Sequence, residues 1–199
     1  MKPEDIGKAY NQIIHIWNSE EFDINNGISQ HKKAISFVKS RGNALDVGCG
    51  CTGRFIDLLQ GEGFTPSGLD ISDKMLNIAR KKHPDIRFVQ GDICECELSE
   101  KYDFITAWDS IWHIPLSEQR NVLTKLVESL NVGGVLIFSF GGTDEEGFHT
   151  NNFMGPEVYY SSLGLNGFLK LFIELGCIIR HLEFDQYPEL HTYLVVEKA

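Results

Sequence analysis

NALDVGCGCTGR, residues 43 to 54, decides how the rest of the chain is read. Ala44, Leu45 and Val47 make a short apolar run of the kind that forms a buried strand, and it leads into Gly48, Gly50 and Gly53. Phe55, Ile56, Leu58 and Leu59 then recur as in a helix. Glycines at a strand-to-helix crossing let the backbone approach a ligand where a Cβ would collide. The ligand would lie across the carboxyl ends of a parallel sheet, beside a helix N-terminus. The stretch predicts a nucleotide-type cofactor site.

The flanking sequence supplies the fold that such a site needs. Upstream, residues 4 to 18 place Ile6, Tyr10, Ile13, Ile14 and Trp17 on one helical stripe. That stripe packs on the sheet or acts as a lid, with Tyr10 or Trp17 touching ligand. EEFDINNG reads as a polar loop, and residues 28 to 40 as a second helix stopped by Gly42. Downstream, a second strand ends at Asp70, 22 residues beyond Gly48. This is close to the roughly 20-residue offset at which an acid meets ribose hydroxyls. A carboxylate can accept from both hydroxyls of a diol. Ser72 is the expected N-cap of a helix carrying Met75, Leu76 and Ala79. Met75 is simplest as a core residue; with ribose on Asp70 it also borders an adenine ring.

IRFVQGDI reads as a third strand ending at Asp92, and YDFITAW as a fourth that gives way to DSIWHIP. Residues 117 to 130 are an amphipathic helix with Ser117 as cap and NVGG as stop. VLIFSF is apolar enough for a strand buried on both faces. Residues 141 to 162 lack clear periodicity. A helix, NGFLKLFIELG, precedes CIIRHLEF and HTYLVVEK, and the short DQYPEL connection makes those two strands antiparallel. Alternating strands and helices imply a doubly wound, Rossmann-like α/β sandwich of three layers.

Composition narrows the function. The 199 residues suit one domain, and 18 Lys plus Arg against 28 Asp plus Glu give a net charge of −10. That field repels a phosphate backbone, so no nucleic-acid partner is expected. Lys74, Arg80, Lys81 and Lys82 read as a solvated helix face. No secretory core opens the chain and no apolar run is long enough to span a membrane, so a cytoplasmic protein is expected. Cys49, Cys51, Cys94, Cys96 and Cys177 are an odd number without a disulfide pattern. The Cys-x-Cys spacing falls short of a zinc site, so no metal is expected.

Gly48, Gly50 and Gly53 satisfy Gly-x-Gly-x-x-Gly, which keeps an NAD(P)-dependent oxidoreductase in view. Asp46 argues against it, because a carboxylate at the mouth of the loop would face a pyrophosphate with like charge. S-adenosylmethionine carries an ammonium and a sulfonium and no pyrophosphate.

At this point the chain resembles the class I S-adenosylmethionine-dependent methyltransferases, over roughly residues 30 to 199. LDVGCGCTGR is similar to the family's first motif, GLDIS to its second, QGDI to its third and DFITAWDSIWHIP to its fourth. LVESLNVGGVLIFSF resembles the helix, turn and strand that follow. The resemblance implies a mostly parallel seven-stranded sheet with an antiparallel last strand. Taken with the length and the N-terminal helical stripe, it leads to the expectation of one methyltransferase domain over residues 1–199: a helical lid region (1–42), a cofactor-binding core (43–140), an acceptor-side loop (141–162), and a helix with the terminal strand pair (163–199).

Carried over by position, the resemblance puts Gly48, Cys49 and Gly50 under the methionine and ribose, with Asp46 supporting the loop and the ammonium. Asp70 would bind the ribose, Ile71 and Met75 flank the adenine, Asp92 and the Ile93 amide meet its polar edge, and Trp108 contact the methionine end. The loop has one residue more than the usual pattern, because both Cys51 and Thr52 precede Gly53. Methyl transfer from a sulfonium is an in-line displacement, served by positioning. A base is needed only if the nucleophile must lose a proton; Asp109, His113 and His149 are the candidates. Tyr159 and Tyr160 line the acceptor pocket or simply pack. His181 and His191 fall on the terminal strands, where a structural role is expected. The acceptor implied is a small molecule; a cofactor-binding protein without catalysis is the remaining alternative.

Overall fold

In the computed structural model, which describes residues 1–199, the apolar run becomes β1 (Asn43–Val47), buried after its first residue. On one side it pairs in parallel with β2 (Thr65–Asp70), which pairs with β3 (Arg87–Gln90). On its other side lie β4 (Tyr102–Ala107) and then β5 (Leu130–Gly141), also parallel. The sheet is completed by β9 (His191–Lys198), antiparallel to β5, with β8 (Cys177–Glu183) at the edge. The order β3-β2-β1-β4-β5-β9-β8 reverses direction between β1 and β4. That reversal opens a crevice at the carboxyl ends of the two strands.

The helices α1 (Pro3–Trp17), α2 (Ile28–Ile35), α3 (Arg54–Gly61), α4 (Asp73–Lys82), α5 (Leu116–Ser129) and α6 (Leu165–Glu174) surround the sheet. Alternate strand residues point to opposite faces, and two apolar cores follow from this. Leu45, Val47 and Ile105 pack against Leu123 and Leu126 of α5 and Phe168 and Phe172 of α6. Ala44, Phe104 and Val135 pack against Ile35 of α2 and Phe55 and Leu59 of α3. The result is the three-layer α/β sandwich, with seven strands and an antiparallel last strand, that the sequence implied. No helix is long and apolar enough to cross a membrane.

Four local expectations need correction. The second helix ends at Ile35, not near Ser40. Ser36 Oγ donates to the Lys33 carbonyl at 2.6 Å and the Arg41 guanidinium to the Val38 carbonyl at 2.6 Å, so side chains satisfy the backbone there. Gly42 instead lies beside β1, its N–H donating to Asp103 Oδ2 at 2.8 Å. Helix α5 starts at Leu116 with Pro115 in the cap position, and Ser117 caps nothing. β3 stops at Gln90, leaving Asp92 in a turn where its Oδ1 accepts the Cys94 N–H at 2.8 Å. Residues 141 to 162 contain an antiparallel hairpin of β6 (Gly147–Asn151) and β7 (Val158–Ser162).

Candidate functional site

The crevice is built from loops that follow four parallel strands. After β1, Gly48 and Gly50 adopt left-handed φ of 74° and 59°, and Gly53 opens α3 at 76°. A Cβ on Gly48 would come within 2.3 Å of Ser110 Cβ, so the loops after β1 and β4 meet as closely as glycine permits. A Cβ on Gly50 would meet nothing within 4 Å; this position is glycine for its backbone angle alone and faces open space.

Asp70, at the end of β2, ties the loop down. Its Oδ2 accepts the Gly50 N–H and its Oδ1 the Ser72 N–H, each at 2.8 Å. Burial pushes the Asp70 carboxyl above its usual range, against the lowering effect of these amides. Each oxygen retains acceptor capacity for a ligand hydroxyl. Ser72 caps α4 as expected, its Oγ accepting the Met75 N–H at 3.1 Å.

Two adjoining hollows share Tyr10, Gly48, Asp70, Asp109 and His113. The first is lined by Ile71, Asp92 and Ile93, with Pro3 and Ile6 of α1 above. The second, with about 990 Å³ of open space, is lined by Cys49, Gly50, Met75 and Trp108 and by Arg54, Trp17, Trp112 and His191. Nine of the ten residues expected at the cofactor thus border one continuous crevice. Asp46 is the exception: it sits 3% exposed beneath the loop rather than at its mouth. Burial pushes its carboxyl up to about 7, partly offset by the Arg54 charge.

The acid–base candidates separate clearly. Asp109 and His113 line both hollows, whereas His149 lies on exposed β6, stacked on Tyr160 at 5.2 Å, and borders a different hollow. His113 Nδ1 is 2.8 Å from the Tyr159 carbonyl, which can only accept, so the proton is assigned to Nδ1. Nε2 then accepts from the Tyr10 hydroxyl at 2.6 Å and the Trp112 indole at 3.0 Å. Burial lowers the His113 pKa to about 4, so the ring is neutral and its lone pair is engaged.

Asp109 is the only non-glycine residue with positive φ, at 54°. Its N–H donates to Ser139 Oγ at 2.7 Å, and the serine hydroxyl donates back to Oδ1 at 3.1 Å. Oδ1 is also 3.1 Å from His191 Nε2, while His191 Nδ1 is 2.5 Å from Asp185 Oδ1. Two carboxylates facing both ring nitrogens make His191 a double donor, an imidazolium. Burial acts to lower its pKa, but the bonds to Asp109 and Asp185 outweigh it and the net shift is upward.

Sequence reasoning assigned His191 a structural role and did not single out Arg54 or Trp112. The signal for His191 was the antiparallel last strand: such a strand begins at the carboxyl end of the sheet, where the loop after β4 also emerges. Arg54 is mostly buried in the second hollow, its Nε donating to the Asn26 carbonyl at 3.0 Å and its guanidinium 4.3 Å above the Phe55 ring.

Residues 44–134, which hold all four strand-end loops, match the protein family described as Methyltransferase domain. That stretch, a little under half of the chain, is similar to methyltransferase domains, in line with the resemblance its motifs carry. The chain is 36% identical, over 105 residues, to a provisionally named methyltransferase of Geobacillus sp. (strain WCH70), covering 50% of this chain and 42% of that protein. It is 32% identical, over 106 residues, to dTDP-3-amino-3,4,6-trideoxy-alpha-D-glucopyranose N,N-dimethyltransferase of Streptomyces venezuelae, covering 50% and 44%. The chain therefore spans less than half the length of both relatives. Its fold is shared with magnesium protoporphyrin IX methyltransferase of Synechocystis PCC 6803, solved with bound S-adenosylmethionine. That match has a TM-score of 0.70 at 19% identity and covers 100% of this chain and 98% of the other.

Proposed function

We propose that the protein transfers a methyl group from S-adenosylmethionine to a small-molecule acceptor. The observation that carries this reading is the sign of the crevice. Asp70, Asp92 and Asp109 line it against the Arg54 guanidinium and the His191 imidazolium, and that imidazolium is itself held between Asp109 and a further carboxylate, Asp185. A pyrophosphate would meet these carboxylates with like charge; a sulfonium and an ammonium meet them with opposite charge. The open space over Gly50 and the acceptor capacity left on Asp70 fit an adenosine-bearing group. The relatives' names agree, since their acceptors are small molecules.

In this reading Asp70 holds the ribose hydroxyls, Ile71 and Met75 flank the adenine, and Asp92 with the Ile93 amide meets its polar edge. Gly48, Cys49 and Gly50 pass beneath the methionine portion, near Trp108, and Asp46 offsets its positive charge through the loop. Bound there, the cofactor supplies an electrophilic methyl group. Tyr10 and His113 close α1 over the crevice and exclude water; Asp109 faces the acceptor. His149 reaches the acceptor side only through Tyr160. Residues 1–199 act as one domain, divided into lid (1–42), cofactor core (43–140), acceptor side (141–162) and terminal unit (163–199). Five free thiols fit a reducing, cytoplasmic setting, and the net charge of −10 disfavours nucleic acid.

Calorimetry with S-adenosylhomocysteine and with NADH tests the proposal. Binding of the first and not the second is expected; NADH binding alone would overturn it in favour of the oxidoreductase reading.

A further inference from the structure

Resting on the methyltransferase reading, we infer that the acceptor is an amine, seated with its nitrogen against Asp109 between tryptophan and tyrosine rings of the second hollow. Two independent features of that hollow converge. The first is Asp109 itself: Oδ1 is occupied by Ser139 and His191, whereas Oδ2 has no protein partner and the side chain is 34% exposed. His191 cannot relieve this carboxylate by giving up its proton to the acceptor site, because both its nitrogens are committed, one to Asp109 and one to Asp185. Asp185 is in turn fixed by Gln30, whose Nε2 donates to Oδ2 at 2.8 Å. The device holds Asp109 in place without neutralising the pair: one imidazolium stands between two carboxylates. His191 is a positioning residue here.

The second feature is the wall. All three tryptophans of the chain, Trp17, Trp108 and Trp112, line this hollow, together with Tyr10 and Tyr160. Aromatic faces attract cations as well as flat apolar groups.

Charge then selects the acceptor class. The two cations of this hollow are engaged elsewhere, His191 with Oδ1 and Asp185 and Arg54 with the Asn26 carbonyl and Thr52 hydroxyl, so a carboxylate or phenolate at Oδ2 would set its own negative charge beside Asp109 in a partly desolvated cleft. An amine reverses that interaction. If it arrives protonated, it gives up a proton to Asp109 Oδ2 and thence to solvent. Its nitrogen lone pair then forms the new N–C bond as the C–S bond breaks, with that electron pair remaining on sulfur.

Calorimetric titration of the 199-residue chain with benzylamine, benzyl alcohol and benzoate, three probes of one ring size, tests the inference with and without S-adenosylhomocysteine. Benzylamine is expected to bind at least tenfold more tightly than benzoate in both conditions. Asp109→Asn should abolish the preference, and asparagine tolerates the left-handed backbone at this position. Trp17→Leu, at the rim, should weaken benzylamine severalfold and leave benzoate unchanged. Equal or tighter binding of benzoate, or a preference that survives Asp109→Asn, would overturn the amine assignment. Failure of S-adenosylhomocysteine to bind would instead remove the methyltransferase reading, because the amine preference is read in the free protein as well.

Discussion

Asp70 shows how much one side chain can hold together. Its two oxygens gather the Gly50 and Ser72 amides before any ligand arrives, so the residue we propose for the ribose also fixes the glycine loop. Asp70→Ala should therefore weaken S-adenosylhomocysteine binding by about 1–3 kcal/mol through the lost charge-assisted contact. Calorimetry reads this directly, and unchanged affinity would reject the ribose role. Asp70 was legible in the sequence because its offset from Gly48 is a property of one β-α-β unit. Gly48 and Gly50 were legible for the same reason. Asp46 was only half legible. It does sit at the end of the strand that feeds the loop, but alternation along β1 turns it onto the face of the sheet that carries Phe104 and Ala44, beneath the loop. His191 was illegible as a crevice residue. Its partners Asp109 and Asp185 are 82 and 6 residues away, and only the β4-β5-β9 order brings all three together.

Among the elements, α1 has the most to do with the crevice. It was readable as a helix from its stripe, and Ile6 and Ala9 pack on Val158 and Tyr159 of the hairpin strand β7. Tyr10 reaches past that contact to His113, which is itself pinned to the Tyr159 carbonyl. Helix α1, the hairpin and the loop after β4 are thus joined through one neutral imidazole. Tyr10→Phe deletes the hydroxyl and leaves His113 Nε2 with Trp112 alone. We expect about 0.5–1.5 kcal/mol of lost stability, typical of one net hydrogen bond. Hydrogen exchange should locate the loss, with faster exchange over residues 3–12 than over β1 or β4; uniform acceleration would argue against a local link. The hairpin was not readable, because β6 is exposed at every position and carries no alternation of burial. The early end of α2 escaped notice because side chains of Ser36 and Arg41, not a glycine, satisfy its last carbonyls.

For the molecule as a whole, the seven-stranded sheet followed from apolar runs that must be covered on both faces. The same double covering buries ionisable groups with opposite responses to acid. His31 is fully buried, its ring nitrogens bonded to the Gly27 carbonyl at 2.6 Å and to Thr106 Oγ1 at 2.7 Å, and burial lowers its pKa to about 3. His113 is lowered to about 4 by the same cause. Between those values and the unfolded pKa of 6.5, the unfolded chain binds two protons that the native protein refuses, so stability falls as pH falls. Asp46 works the other way. Raised by burial from 3.8 to about 7, it holds a proton in the native protein that the unfolded chain releases, and its contribution is lost as pH rises through that window. One proton per pH unit is worth about 1.4 kcal/mol. From pH 6.5 down to about 4, these three groups together make the protein less stable by the equivalent of one proton. Other shifted carboxyls, Asp70 among them, also contribute to the slope of the native sequence, so urea unfolding across this range is read as a difference. His31→Gln should lower the slope by about one proton, because one refused proton is removed, and Asp46→Asn should raise it by about one, because the histidines then act without Asp46 against them. The slopes, rather than the midpoints, carry the test, since either substitution can shift absolute stability. If Asp46→Asn leaves the slope unchanged, Asp46 is ionised in the native protein throughout this range, and its charge then stands beneath the glycine loop in the free protein as well.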